Sequence, residues 1–510
     1  MFREILIANR GEIAIRIART CREMGIHAIG VYSAADRDAL HRRHMDESVE
    51  IGPAPARESY LNMDRVLAAA KETGAEAIHP GYGFLSENPA FSRRCAEEGL
   101  VFVGPGPEAM AKSGDKIGSR HAMAAVGLPI TPGSDAVRDE AEALTAAREL
   151  KFPVMLKASG GGGGIGMAVV RRRDELEPAF RLAQSSAAAA FGDPTLFVEK
   201  FHRHPRHIEV QVLLDAYGNA VHLGERECSI QRRNQKLVEE SPSPIVGPRT
   251  RRTLGELAVR GMKAVGYVNA GTVEFLYSAG KYYFNKINAR LQVEHTVTEA
   301  VTGFDLVREQ LRAAAGEPLG FAQDDVQVRG WALECRINAE DPAANFAPSP
   351  GRITRYAPPG GPGIRVDSGV SEGSSVAAFY DPLLAKVVAH GRTRAEALAR
   401  MGRALREFVV EGVATVLPLH RQILADEAFR KGDFATTFLE DRGILRALAH
   451  AREDEVAAIA AALAARPSLA AYLRPRVALQ SSGASRWAAA GRPNSGGEHA
   501  AAHRGRWRRA

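Results

Sequence analysis

The chain has few cysteines. Among 510 residues there are four, Cys21, Cys95, Cys228 and Cys335, widely separated and with no CxxC pair. That spacing excludes a disulfide framework and a thiolate zinc site, and it suits a reducing cytoplasm. Cys228 and Cys335 read as packing residues, not nucleophiles. No apolar run is long enough to span a membrane, and the N-terminus opens on a strand-like Glu4-Ile-Leu-Ile-Ala instead of a secretory signal pattern. No internal repeat is evident. Net charge is only +7, and residues 446–510, with eleven Arg, no Lys and four acids, account for all of it. The body is neutral, which argues against nucleic acid as a partner. The Ala-, Ser-, Gly- and Arg-rich stretch after about Ala464 reads as a poorly ordered tail.

What is present describes a globular chain, 25% charged and 45% apolar, of about two to four domains. Residues 5–8, 27–32, 77–79 and 100–103 are strand-like, and 11–24 has helical spacing. This βαβ rhythm implies a parallel sheet covered by helices. Past Lys112 the pattern changes to strands at 197–199, 207–214, 271–277 and 282–288, with a long helical stretch at 249–265. Short strands follow from Val326, then helices at 394–409 and 418–425.

Lys157-Ala-Ser-Gly-Gly-Gly-Gly-Gly-Ile-Gly-Met167 is a glycine run between two β-like segments. Consecutive glycines let backbone amides approach a phosphate without side chains in the way. No GK[ST] follows, which excludes a Walker A loop, and the strand–strand flanks differ from a Rossmann turn. A hairpin flap is expected. Lys157 beside it, and Lys116 in Gly114-Asp-Lys, are candidate phosphate ligands.

In residues 287–293 apolar Ile287, Ala289, Leu291 and Val293 alternate with polar Asn288, Arg290 and Gln292, and Glu294 continues the polar series. If extended, the segment presents two amides, a guanidinium and a carboxylate on one face, as oxyanion recognition requires. A solvated edge strand shows the same alternation.

Several blocks together resemble one family. They are Ile7-Ala-Asn-Arg-Gly-Glu-Ile-Ala, His79-Pro-Gly-Tyr-Gly-Phe-Leu-Ser-Glu-Asn, Lys157-Ala-Ser-Gly-Gly-Gly-Gly and Glu227-Cys-Ser-Ile-Gln-Arg-Arg-Asn-Gln-Lys. Asn288-Ala-Arg-Leu-Gln-Val-Glu-His and Glu334-Cys-Arg-Ile-Asn-Ala-Glu-Asp complete the set. In unbroken order over residues 2–445, they resemble biotin carboxylases of the ATP-grasp superfamily. The resemblance implies an α/β fold with a Rossmann-like N-domain over 1–112. It implies an ATP-grasp domain over 113–318 with a mobile glycine-rich lid at about 130–203. A C-terminal mixed α/β subdomain would cover 319–445, ahead of the partly disordered tail 446–510.

The resemblance also implies site residues. ATP would meet Lys116, Lys157, Gly163 and Gly164 at its phosphates and Glu199 and Lys200 at its adenine edge. His207, Gln231, Asn234, Glu274 and Leu276 would complete that pocket. Bicarbonate would sit against Lys236, Arg290, Gln292 and the Val293 amide, with Glu294 as general base. Arg290 would hold carboxyphosphate, and Arg336 the enolate of biotin. The family binds Mg²⁺ or Mn²⁺ through Glu274, Asn288 and a glutamate where this chain has Lys286, and a lysine offers no oxygen donor. Asn285 and Ile165 also depart from the family pattern, as does Asn234, which replaces a common His.

No Ala-Met-Lys-Met-like biotin-acceptor hairpin and no carboxyltransferase region occurs, so biotin is expected on a separate carrier protein, with carboxyltransferase subunits as further partners. A cytoplasmic homodimer feeding an acyl-CoA carboxylase is the implied assembly. Deleting 466–510 is expected to leave folding and nucleotide binding nearly unchanged; a collapse in thermal stability on truncation would show that the tail docks on the body.

Overall fold

Three large sheets, beside three two-stranded ones, are found among the described residues. In this computed structural model, which describes residues 1–160 and 164–465, the first sheet is fully parallel. Its order is Glu47–Glu50, His27–Tyr32, Glu4–Ile7, Ala77–His79, Val101–Phe102. Parallel strands covered on both faces read as continuous apolar runs, and Ile5, Leu6 and Ile7 are buried. The helix Gly11–Glu23 packs on them through Ile13, Ala14, Ile17, Ala18 and Cys21, spaced at helical intervals.

The central sheet has eight strands, each antiparallel to its neighbours. The order is Lys281–Asn288, Asn269–Ser278, Arg206–Leu214, Ala220–Arg232, Gln235–Ser241, Trp331–Asn338, Leu383–Gly391, Ile364–Ser368. A four-stranded sheet, Gly133–Val137, Leu196–Lys200, Val154–Ala158, Ala168–Val170, forms the lid. The last two of its strands pair antiparallel on either side of the glycine run, as a hairpin flap requires. The α/β class and the parallel N-terminal sheet agree with the sequence reading.

Two local expectations fail. Extension does not continue to Val293: the strand ends at Asn288, residues 289–294 form a loop, and Glu294 precedes the helix His295–Thr302. The loop carbonyls find side chains instead of a sheet partner. Arg290 Nη1 donates to Leu291 O, His295 Nδ1 pairs with Gln292 O and Lys386 Nζ donates to Val293 O. The 13-residue strand Ala220–Arg232 was not anticipated, because Glu225-Arg226-Glu227 resembles a solvated segment; all three are buried.

The tail differs at its start, where residues 444–465 are helical, as their alanine content favours. Residues 466–510 lie outside the described residues, as does Gly163. Residues 1–452 form one compact unit, which contains the site, and the described residues 453–465 belong to a separate one. Among the described residues no helix is long and apolar enough to cross a membrane. All four cysteines are free and buried, and burial raises the Cys228 and Cys335 thiols well above their ordinary range.

Candidate active site

Strand register sets the charges. Lys286 lies opposite Glu274, Glu274 opposite Glu209, and Glu209 opposite Arg226, a row across four strands in which two adjacent glutamates are flanked by cations. Lys236, on the neighbouring strand, sends its ammonium to Glu209 Oε2 and Glu294 Oε1, both at 2.5 Å, and to Glu274 Oε1 at 3.4 Å. Arg336 donates from Nε to Glu239 Oε1 at 2.6 Å and from Nη2 to Glu294 Oε2 at 2.9 Å. Each Glu294 oxygen therefore faces one cation. Burial alone would raise this carboxyl, but Lys236 and Arg336 outweigh burial and the nearby Glu209, and hold it below its ordinary value.

Arg226 anchors the floor. Fully buried, it donates to Glu209, Gln211, Thr298, Thr272 and Gln292 at 2.5–3.1 Å. Removing one partner from such a network strands buried charge. Arg226→Met is expected to destabilise the protein by about 3–5 kcal/mol in denaturant unfolding; a loss within experimental error would mean that the network relaxes without it.

Lys236, Glu274, Lys286, Glu294 and Arg336 line a cavity of about 450 Å³ that also takes in Arg290, Gln292, Val293 and Asn288. Tyr82, Phe84 and Tyr380 face it from other segments. Glu87 positions Arg290, accepting from its Nε at 3.1 Å and from the Ala289 amide at 3.0 Å.

The residues expected around ATP gather at one end of the central sheet and on the lid. His207 pairs in register with Leu276, and Gln231 with Lys236. Asn234 occupies the turn after Arg232, in left-handed backbone. Gly164 comes so close to it that a Cβ there would lie 2.6 Å from Asn234 Nδ2, and its φ of +80° also calls for glycine. Lys157 pairs with Glu199 at 2.5 Å, and Arg120 approaches the same carboxylate at 3.2 Å. Lys116 donates to Ala158 O and Gly160 O at 2.8 and 3.0 Å, so it holds the base of the hairpin. Burial first, then Lys157 and Lys286, lower its ammonium to about 8. The Lys200 side chain instead donates to the Leu150 and Lys151 carbonyls at the end of the lid helix Glu140–Leu150.

The divalent-metal set is the exception. Lys286 Nζ lies 3.7 Å from Glu274 Oε1, while Asn288 Nδ2 donates to that oxygen at 2.7 Å and Asn285 Nδ2 to Oε2 at 3.3 Å. Burial would raise the Glu274 carboxyl, yet Lys286 and His207 lead in holding it well below its ordinary value. An ion on Glu274 about 4 Å from that ammonium would meet roughly 8 kcal/mol of repulsion at an effective dielectric near 20. Another grouping, His207, Glu209 and Glu274, brings ligand atoms within 4.8 Å of one another, but Lys236 already spans both carboxylates. The side chains present do not fit a divalent ion as the three-oxygen family set would.

Sequence reasoning missed Arg226, Glu209, Glu239 and Glu87. Glu87 stood inside the His79–Asn88 block; a run of three charges, Glu225-Arg226-Glu227, set between Val221, Leu223, Cys228 and Ile230 was the available signal for Arg226.

A β hairpin around a glycine run, with Lys116 and Lys157 at its base and Gly164 against the Asn234 turn of an antiparallel sheet, defines the ATP-grasp class of ATP-dependent ligases. Family models give the same division: "Biotin carboxylase, N-terminal domain" matches residues 1–110, "Carbamoyl-phosphate synthase L chain, ATP binding domain" 115–322, and "Biotin carboxylase C-terminal domain" 334–441. Biotin carboxylase 1 of Bacillus subtilis is 51% identical over 448 residues, 87% of this chain and 100% of that protein. A pyruvate carboxylase subunit of Methanothermobacter thermautotrophicus is 53% identical, covering 87% of this chain and 91% of that protein. Among solved structures, a biotin carboxylase–ATP-type complex from Campylobacter jejuni superposes with a TM-score of 0.85 at 45% identity, covering 86% of this chain and 99% of that one. The chain belongs to the biotin carboxylase family.

Proposed function

We propose that this chain carboxylates biotin at the expense of ATP and bicarbonate, through carboxyphosphate, with the biotin presented by a carrier protein. The observation that carries the proposal is Glu294, buried between Lys236 and Arg336 on the wall of the cavity. Both reactants are anions, and fixed cations with N–H donors must bring them together. Lys236, Arg290, Gln292 and the Val293 amide hold bicarbonate. Glu294 takes its proton, and the freed oxygen attacks the γ-phosphorus, expelling ADP. Carboxyphosphate, held by Arg290, breaks down to carbon dioxide and phosphate. Phosphate then removes the ureido proton of biotin, Arg336 stabilises the enolate, and the nitrogen attacks carbon dioxide.

Lys116, Lys157, Gly163 and Gly164 bind the phosphates; Glu199, Lys200, His207, Gln231, Asn234, Glu274 and Leu276 form the rest of the nucleotide pocket. The family's divalent ion, Mg²⁺ or Mn²⁺, screens the phosphate charge; here only Glu274 and Asn288 remain to hold it, and no step above is routed through it. A relative's structure contains MgADP, ADP and bicarbonate together in a dimeric biotin carboxylase domain, that of Hydrogenobacter thermophilus 2-oxoglutarate carboxylase, 46% identical with a TM-score of 0.85.

The proposed partners are a biotin carboxyl carrier protein, a second copy of this chain in a homodimer, and carboxyltransferase subunits. The transferase selects the acceptor. Acetyl- or propionyl-CoA, expected from the sequence, stands beside pyruvate and 2-oxoglutarate, which appear in the names of relatives. Radiolabelled bicarbonate transfer to each acceptor, with the cognate transferase added, decides among them.

One observation favours a second reading. The ammonium of Lys286 beside Glu274 suits a relative that binds nucleotide yet turns over poorly. A different ATP-grasp carboxylate ligase is disfavoured, because the Arg290, Gln292, Glu294 and Arg336 set suits bicarbonate and biotin better than an amine acceptor. Phosphate release driven by amines and indifferent to biotin would reverse that preference.

A further inference from the structure

Behind the bicarbonate loop lies a buried ammonium that the reaction above does not use. Lys386, on the strand Leu383–Gly391, has no solvent exposure. Its Nζ donates to Val293 O at 2.8 Å, its single hydrogen bond among the described residues. Its nearest carboxylate oxygen is Glu12 Oε2, at 3.4 Å. Neither Glu12 oxygen has a hydrogen-bond partner among the described residues, although both are buried. In the sheet, Lys386 lies opposite Arg336 on one side and Asp367 on the other. Asp367 is already engaged by both Arg365 Nε and Nη2.

As a stabilising device this is a poor arrangement. An ammonium can donate three hydrogen bonds and this one donates one. Its carboxylate partner accepts none, and a like charge stands directly across the strands. Pairs so incompletely satisfied are commonly replaced by apolar residues without loss of stability. What the pair does achieve is placement. Glu12 is on the first turn of the helix Gly11–Glu23 beside the parallel sheet, Lys386 on the central sheet, and Val293 in the loop between Asn288 and the helix His295–Thr302. Arg290 and His295 fix the neighbouring carbonyls from within or beside that loop. Lys386 alone of the three ties it to a distant strand.

We propose that Lys386, held in place by Glu12, is a positioning residue that fixes the Val293–Glu294 peptide and so sets both the bicarbonate-binding amide and the base. The inference rests on the biotin carboxylase reading above. Without Lys386 the Val293–Glu294 peptide can rotate, and because it joins these two residues the rotation is passed on to the Val293 N–H in the preceding peptide and to the Glu294 side chain. ATP, bound by the lid and the far end of the sheet, is untouched.

Lys386→Met strands the Glu12 carboxylate, so it is compared with the double variant Lys386→Met/Glu12→Gln, which restores neutrality. Thermal unfolding and steady-state phosphate release are measured for both and for the unaltered chain. The double variant should regain most of the lost melting temperature, yet keep kcat/KM for bicarbonate lowered roughly 10- to 100-fold with KM for ATP unchanged. A double variant with normal stability and normal kcat/KM for bicarbonate, or one whose ATP and bicarbonate constants move equally, overturns the positioning role alone. If the unaltered chain shows no bicarbonate-dependent turnover, the functional reading falls, and this inference with it.

Discussion

Glu294→Gln should lower bicarbonate-dependent phosphate release at least ~100-fold while ATP binding survives. The amide keeps the size and hydrogen bonding of the carboxylate but cannot accept a proton. The fold should tolerate the change, because Lys236 retains Glu209 and Arg336 retains Glu239 as counter-ions. Its pH dependence has a definite sign. With the folded carboxyl below its ordinary value, the base is ionised at neutral pH, and its contribution is lost only as pH falls through that lowered value. A mild loss at saturating substrates would mean that Glu294 is structural.

Lys286→Glu should raise turnover, by roughly 10- to 100-fold, much more than it changes ATP affinity, and should shift the Mg²⁺ dependence to lower concentration. Glu274 and Asn288 still offer oxygen donors, so the metal site is weakened, not abolished. The ammonium, close enough to Lys116 to lower its pKa, attracts the nucleotide phosphates in place of a cation. It does not orient the γ-phosphate for in-line attack as a coordinated ion does. Cross-strand register already places Lys286 opposite Glu274, so the substituted carboxylate would join the other oxygen donors without backbone movement. If turnover and Mg²⁺ dependence both stay unchanged, Lys286 does not touch the metal.

How much of this was legible in the sequence depended on the range of the interaction. The glycine hairpin declared itself locally, because apolar β segments flank an uninterrupted glycine run. Arg290 and Glu294 stood out through residue type and alternation, Lys236 and Arg336 through the family resemblance. The network that orients them did not. Arg226, Glu209 and Glu239 are charged residues inside strands, and their meeting depends on which strand lies next to which, information that no local period contains. Lys386 and Glu87 are further cases: 93 residues separate Lys386 from the carbonyl it holds, and 203 separate Glu87 from the Arg290 it positions. The alternation through Ile287–Val293 misled for a different reason. Period two persists in the sequence while the chain leaves the sheet at Asn288, since the loop carbonyls are satisfied by Arg290, His295 and Lys386 and not by a neighbouring strand.

The most direct test of the account is phosphate release from ATP by the purified chain, with and without bicarbonate and free biotin. ATP hydrolysis that requires bicarbonate and rises further with biotin is the expected result, at a low rate for the unaltered chain and a higher one for Lys286→Glu. Hydrolysis indifferent to both bicarbonate and biotin in both proteins would contradict it.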